Sequence, residues 1–375
     1  MIFLALIRRI NKTLYICRIH KISKTENITN FSSVCPVDFS FTEVLLGHGS
    51  GGKLSQQLLE SVFLPFFRSE ESRENHDGAR ITSVSPQLAF TTDSFVVDPL
   101  FFPGGNIGKL SICGVINDLA MCGAIPSYLS AAFIIEEGFS IESLKKIVSS
   151  MADTAKENNA CIVTGDTKVV EKGKADKLFI SVSGVGKIIS RTVVAPESVA
   201  PGDCIIINGD IGRHGIAVLA SREGLEFECS IESDCASLLT PVRNLIDAEV
   251  EIHCMRDLTR GGMAAALGEI AQSSGYDFEI FEDCIPVTAP VRSACEMLGF
   301  DPVNIACEGR FVSFVPEKYL QTTMHELSKS ASPDCQPCCI GKVLSGNSGK
   351  VFRTNRIGMK RIMDIPFGEI LPRIC

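Results

Sequence analysis

Three short stretches each carry an acid after an apolar run or in a glycine-bearing turn: Thr91-Thr-Asp93-Ser94, Asn117-Asp118 and Thr164-Gly-Asp166-Thr-Lys168. Strand ends and turns are where a fold presents side chains to a ligand. If the three acids converge, they offer magnesium the hard oxygen ligands it prefers, to be completed by substrate phosphates. Lys168 would then meet phosphate charge or a developing anion. Taken singly, each Asp has a plainer explanation as a turn or helix-cap residue, so the fold must supply the convergence.

Gly47-His-Gly-Ser-Gly-Gly-Lys53 lies between an apolar run and a helical pattern. Gly49, Gly51 and Gly52 let backbone amides turn toward an anion, with Lys53 behind them. The spacing matches a P-loop, but Leu54 stands where the magnesium-binding hydroxyl belongs. A different phosphate cradle and a flexible helix entry without a ligand both stay open. Arg256-Asp257-Leu-Thr-Arg260-Gly-Gly262 precedes an alanine-rich helix. There Asp257 can cap the helix or Arg260 can touch a phosphate. Glu308 in Ala306-Cys-Glu308-Gly309 is a candidate general base or an ordinary loop acid. Cys375, the last residue given, is a thiol on a tail able to visit more than one site, or an incidental residue.

These groups need elements to position them. A chain of 375 residues exceeds one ordinary core and implies two or three domains. Leu54, Leu58, Leu59, Val62, Phe63 and Phe66 predict a helix over about 53–66, with Pro65 near its end. Residues 88–90 and 178–182 read as strands and 141–158 as a helix. The turn-rich Val199-Ala-Pro-Gly-Asp203 suggests a domain boundary near 196. Beyond it come a strand at 204–208, a glycine-rich start at 209–215, a helix after Gly262, a strand at 311–315 and a helix at 317–329. The alternation is that of mixed α/β and α+β architecture. The segment from about Ser345 is polar and reads as a mobile tail, 346–375. Residues 1–40 do not match the rest and are expected to be disordered or a misassigned start.

Forty-four acidic against 36 basic residues give a net charge of −8, which argues against a nucleic-acid partner. No apolar run approaches the roughly 18 residues of a membrane helix. The sixteen cysteines sit in apolar or helical contexts, as reduced thiols of a cytoplasmic protein do. Cys335-Gln-Pro-Cys338-Cys339 lacks a second ligand pair for zinc.

Assembled in order, the motifs resemble a known family. They are His48-Gly-Ser-Gly-Gly-Lys53, Thr92-Asp-Ser-Phe-Val-Val-Asp-Pro-Leu-Phe-Phe-Pro-Gly-Gly105, Asn117-Asp-Leu-Ala120, Gly165-Asp-Thr-Lys-Val-Val-Glu-Lys-Gly-Lys174 and Pro372-Arg-Ile-Cys375. Over about residues 41–375 the chain is similar to the HypE family, carbamoyl dehydratases of nickel–iron hydrogenase maturation. The resemblance implies a two-domain fold like aminoimidazole ribonucleotide synthetase (PurM-like). Its N-terminal α/β domain, 41–196, binds ATP and dimerises through its sheet; an α+β domain, 197–345, and a flexible tail follow. It also implies that a HypF carbamoyltransferase loads a carbamoyl group on Cys375, that ATP drives its dehydration to thiocyanate, and that cyanide passes to iron on a HypC–HypD complex.

By the same resemblance Asp93, Asp118 and Asp166 lie near Mg2+ and nucleotide, with Asn117 and Gly165 beside them. Lys53, Gly49, Gly51 and Gly52 cover the phosphates, and Lys168 and Glu308 approach the thiocarbamate. Two positions depart from the pattern: Cys307 stands where Asn is expected, and Leu258 where Pro is usual. The rival readings are a sibling ATP enzyme of the same fold acting on a free small molecule, and a nucleotide-binding maturation scaffold.

Overall fold

In the computed structural model the described residues are 41–49, 52–67, 87–225 and 230–363. Cys375 and the extension 1–40 lie outside them.

After a 3-10 turn at Leu46–Gly49 come α1 (Gly52–Leu58) and α2 (Leu64–Phe67), joined by a π-helical turn at Leu59–Phe63. The wide turn has a local cause. Pro65 has no N–H for the ladder and its ring crowds the carbonyl four residues back. The Leu64 N–H accordingly reaches Leu59 O, five residues back.

The chain continues through β1 (Leu88–Phe95), β2 (Phe101–Phe102), β3 (Gly105–Asn106), α3 (Ile107–Met121), β4 (Ala124–Glu136), α4 (Ile141–Glu157), β5 (Cys161–Val170) and β6 (Leu178–Ile188). Four of these strands form a sheet in the order β1-β6-β4-β5. Its two faces differ, as strand alternation requires. Phe95, Leu129, Phe133, Ile180 and Val182 are buried in one core with α3 and α4. The other face carries Phe90, Thr92, Ser94, Ser183 and Ile134, and Phe90 is 70% exposed. Asn106 caps α3 by accepting from the Gly108 and Lys109 N–H groups at 2.8 and 3.1 Å. α3 is apolar around nearly its whole circumference because it is enclosed on both sides. One side packs on the first sheet, while Ala120 and Met121 join a core with Ile206 and Phe311 of the second half.

That second half contains β7 (Asp203–Ile207), α5 (Arg213–Glu223), α6 (Leu239–Asp247), β8 (Cys254–Asp257), α7 (Gly262–Ser274), β9 (Phe278–Phe281), α8 (Ala289–Leu298), β10 (Phe311–Pro316), α9 (Leu320–Ser328), β11 (Cys338–Val343), β12 (Val351–Thr354) and β13 (Lys360–Ile362). They build a seven-stranded sheet in the order β13-β12-β9-β11-β7-β10-β8. β7 is buried at every position because both sheet faces are covered: Ile205 and Ile207 face the core with α7, Cys204 and Ile206 the core with α6. The result is an α/β half joined to an α+β half. The two sheets fall on either side of residue 196, but their cores interlock, since Val218 and Cys235 belong to the first.

Two expectations change. The helix expected from 317 begins at Leu320, after a 3-10 turn at Glu317–Tyr319. The segment from Ser345 is not a tail throughout: β12 pairs parallel with β9 and antiparallel with β13. Its anchors are few but specific. Val351 and Met363 are buried, and the Asp277 carboxylate accepts from Ser348 N, Ser348 Oγ and Lys350 N at 3.0, 2.6 and 3.0 Å.

Candidate active site

A cleft of about 500 Å³ opens where the two halves meet, lined by β1, α3, the end of β8 with its loop, and the residues preceding β10. β1 contributes Asp93, whose Oδ1 accepts the Ser94 N–H at 2.8 Å. α3 contributes Gly114 and, one turn on, Asp118, whose Oδ2 accepts from Thr91 Oγ1 at 2.7 Å. β8 ends in Arg256 and Asp257 and the following loop adds Thr259 and Arg260; Ala306, Glu308 and His214 complete the wall.

Four carboxylates thus share one cavity. Burial raises the proton affinity of Asp93 and Asp118, and Asp93 raises that of Asp118 further. Asp257 is pushed up to about 7 by burial and then by Asp118 and Asp93, with Arg256 opposing. Glu308 is raised well above the carboxylate range by burial, then by Asp257, Asp234 and Asp93. Arg256 also binds Glu269 at 2.5 Å, so its charge is shared. Excess negative charge of this kind suits a cation. Among the described residues no group of three His, Cys, Asp or Glu side chains is arranged to hold a metal alone. An ion here would therefore take phosphate oxygens and water as well, the usual habit of magnesium. His214 is buried, its Nδ1 lies 2.8 Å from Ser233 Oγ, and burial lowers its pKa to about 4.

The other sequence candidates form a separate group. Gly165, Asp166 and Lys168 lie on β5, the edge strand farthest from β1. Register places Ser94, Ser181, Ala132 and Asp166 in one row across the sheet, on the open face. Asp93, one residue from Ser94, points to the other face. Asp166 pairs with Lys168 at 3.0 Å, and that contact holds its carboxyl below the usual range. The glycine loop packs beside them, since a Cβ on Gly49 would lie 2.6 Å from Val169 N. Gly52 opens α1 with Lys53 in its first turn, while Gly51 lies outside the described residues. The expected convergence of three aspartates therefore holds within one chain only for Asp93 and Asp118.

Asn117 corrects a further expectation. It is buried and does not line the cleft. Its Oδ1 accepts from Leu238 N at 2.8 Å, and its Nδ2 donates to Ala236 O at 3.2 Å and to Glu308 O at 3.5 Å. Asp257 does not cap α7, whose N-cap is Gly261; it faces the cavity, a role that the charged loop alone did not distinguish. His214 carried no sequence signal beyond its place in the glycine-rich start of α5. One departure has a structural reason: the Leu258 N–H donates to Arg310 O at 2.9 Å, a bond proline cannot make.

Residues 76–188 match the family described as AIR synthase related protein, N-terminal domain, and residues 200–353 the corresponding C-terminal domain. The chain thus has the two domains of an AIR synthase-type protein. Thiamine monophosphate kinase from Aquifex aeolicus shares that fold, with a TM-score of 0.54, 19% identity and coverage of 73% of this chain and 89% of that one. The chain is 43% identical over 341 residues to carbamoyl dehydratase HypE of Rhizobium leguminosarum bv. viciae, covering 90% of itself and 97% of that protein. It is 42% identical to the Escherichia coli K12 protein of that name, covering 88% of itself and 99% of that protein. A crystal structure of HypE in complex with ATP superposes with a TM-score of 0.83 at 39% identity, covering 88% and 99% of the two chains. One described as a HypE–HypF complex gives 0.72 at 42%, covering 84% and 100%. The chain belongs to the HypE family of carbamoyl dehydratases.

Proposed function

We propose that the protein converts a carboxamide carried on the Cys375 sulfur into the S-cyanide, with ATP becoming ADP and phosphate, and so supplies the cyanide ligand of the nickel–iron hydrogenase centre. The observation that carries this reading is Glu308, a carboxylate of raised proton affinity, in one cavity with Asp93 and Asp118. Making the nitrile requires two amide protons and the carboxamide oxygen to leave. ATP turns that oxygen into a phosphate leaving group, and magnesium supplies positive charge to the phosphates. Asp93 and Asp118 hold the cation. Glu308 receives amide protons, because a carboxyl tuned toward neutrality is a better base than an ordinary one. Asp257, pushed up to about 7, is placed to pass a proton on.

Asp166, Lys168, Lys53 and the glycine loop join this chemistry in a homodimer. The open face of the first sheet, with Phe90 70% and Ile134 43% exposed, is the contact surface. It brings the partner subunit's Asp166 and Lys168 toward the nucleotide. A HypF-like carbamoyltransferase loads Cys375 and a HypC–HypD-like complex accepts the cyanide. Among the described residues no helix is long and apolar enough to cross a membrane, and we place the protein in the cytoplasm with these partners.

The test supplies the purified chain with the carbamoyltransferase, carbamoyl phosphate and ATP, and reads the Cys375 peptide by mass spectrometry. A carbamoyl adduct that loses water only when ATP is present supports the reading. An adduct that stays hydrated with ATP bound and hydrolysed contradicts it.

A further inference from the structure

Among the described residues the bonds that hold Glu308 are made by its backbone N–H and C=O. Its N–H donates to Asp234 Oδ1 at 3.3 Å, and its carbonyl accepts from Ala236 N at 3.2 Å and Asn117 Nδ2 at 3.5 Å. The next carbonyl, Gly309 O, accepts from Arg310 Nη1 at 2.8 Å and Asn208 Nδ2 at 3.2 Å. A Cβ on Gly309 would lie 2.0 Å from Asp234 O, so the two strands of chain touch backbone to backbone. The segment 233–238 that provides these contacts is tied to the first half as well. Ser233 N donates to Pro103 O at 2.9 Å, and Leu238 N to Asn117 Oδ1 at 2.8 Å.

Asp234 is a costly residue to keep. It is buried, and among the described residues its Oδ2 has no hydrogen-bond partner, with Arg310 Nε pairing to it at 3.9 Å. A buried carboxylate with an unsatisfied oxygen weakens a fold unless its other contacts serve a purpose. Arg310 is already engaged, since its Nη2 binds Asp210 Oδ1 at 2.7 Å and its Nε donates to Asp210 O at 2.8 Å. The one main-chain N–H that Asp234 accepts outside its own segment, among the bonds described, is that of Glu308.

We propose that Asp234 and Asn117 are positioning residues that clamp the Glu308 peptide from its two sides and so fix the Glu308 carboxylate over the reacting carboxamide. The proposal rests on the reading of Glu308 as the base. Asp234 acts on the N–H side and Asn117 on the C=O side, and because Asn117 belongs to α3, the clamp ties the base of the second half to the helix that carries Asp118. Base and cation-binding carboxylate are thereby held in fixed relation across the junction of the halves.

The test follows a single turnover of dehydration on carbamoylated full-length protein, with ATP affinity and the extent of Cys375 loading measured in parallel. Variants are Asp234→Asn, Asp234→Ala, Asn117→Ala and Glu308→Gln. The clamp predicts that Asp234→Ala and Asn117→Ala lose rate by about 100-fold, the scale of a misplaced catalytic group, with loading and ATP affinity retained. Asp234→Asn, whose Oδ1 still accepts the Glu308 N–H, stays near wild type. Equal loss in Asp234→Asn and Asp234→Ala overturns the clamp, and so do wild-type rates in both alanine variants. If Asp234→Ala does not fold, Asp234→Asn and Asn117→Ala decide. Glu308→Gln separates the two levels: a wild-type rate there overturns the base reading and the clamp with it, whereas a slow Glu308→Gln beside fast alanine variants overturns the clamp alone.

Discussion

Asp93 and Asp166 stand at opposite edges and on opposite faces of one four-stranded sheet. Three strand spacings of about 4.8 Å separate their strands, so one chain does not bring both carboxylates to a single ion. If both serve the nucleotide, a second copy supplies one of them. Mixing inactive Asp93→Asn and Asp166→Asn proteins should then restore part of the activity, because each mixed dimer contains one site with both aspartates intact. Failure to complement, with mixed dimers verified, contradicts a shared site.

The open face predicts the same assembly independently. Phe90→Glu places a charge on the exposed apolar face and should dissociate the dimer, with ATP turnover lost on dilution. Sedimentation checks the mass. A wild-type protein that is monomeric and fully active at assay concentration would exclude this arrangement.

Glu308→Gln should lower the dehydration rate by about 10²- to 10⁴-fold and leave carbamoyl loading intact, as loss of a general base does. In the wild type, activity should fall with pH at a point well above the ordinary glutamate value of 4.5, because burial and then Asp257, Asp234 and Asp93 favour the protonated form. A pH–rate profile flat down to that ordinary value is the contrary result.

Asp257 predicts how stability responds to pH. Its carboxyl rises from 3.8 to about 7 on folding, so between those values the native state holds a proton that the unfolded chain has released. The unfolded state binds fewer protons, and stability therefore falls as pH rises through that window. Melting of the nucleotide-free protein should show this decline, and Asp257→Asn should flatten it. An unchanged slope in the variant would remove Asp257 as its source.

Gly309→Ala should cost about 1–3 kcal/mol, the scale of overpacking, because the added methyl meets the Asp234 carbonyl. A thermal melt unchanged from wild type would show that the chain at Asp234 yields to the methyl without cost.

Elements with a clean period were legible in the sequence. α4 runs over Ile141–Glu157 as its apolar spacing predicts, and β10 over Phe311–Pro316. β12 escaped because its hold is a buried Val351 and an Asp277 carboxylate contacted by backbone, neither of which is a periodic signal. Asp93 near the end of β1 and Glu308 in a loop lie where their sequence contexts predict, whereas Asp118 sits on helix α3 and Asp166 within strand β5 rather than at a strand end or turn. What spacing does not encode is the edge and face of a sheet, which separates Asp166 from Asp93. Nor does it say whether an amide meets ligand or backbone, which turns Asn117 from a nucleotide contact into a support. Asp257 read equally as a helix cap, and only its tertiary neighbours mark it as part of the cavity.

The role of Cys375 is tested by comparing the intact protein with Cys375→Ala in the carbamoylation reaction, following peptide mass and ATP consumption together. Dehydration of a carboxamide on Cys375 predicts an ATP-dependent cyano adduct there, and in Cys375→Ala neither the adduct nor the ATP consumption coupled to it. ATP consumption unchanged in Cys375→Ala, with no adduct on the wild-type peptide, would contradict it and point to a free small-molecule substrate for the same fold.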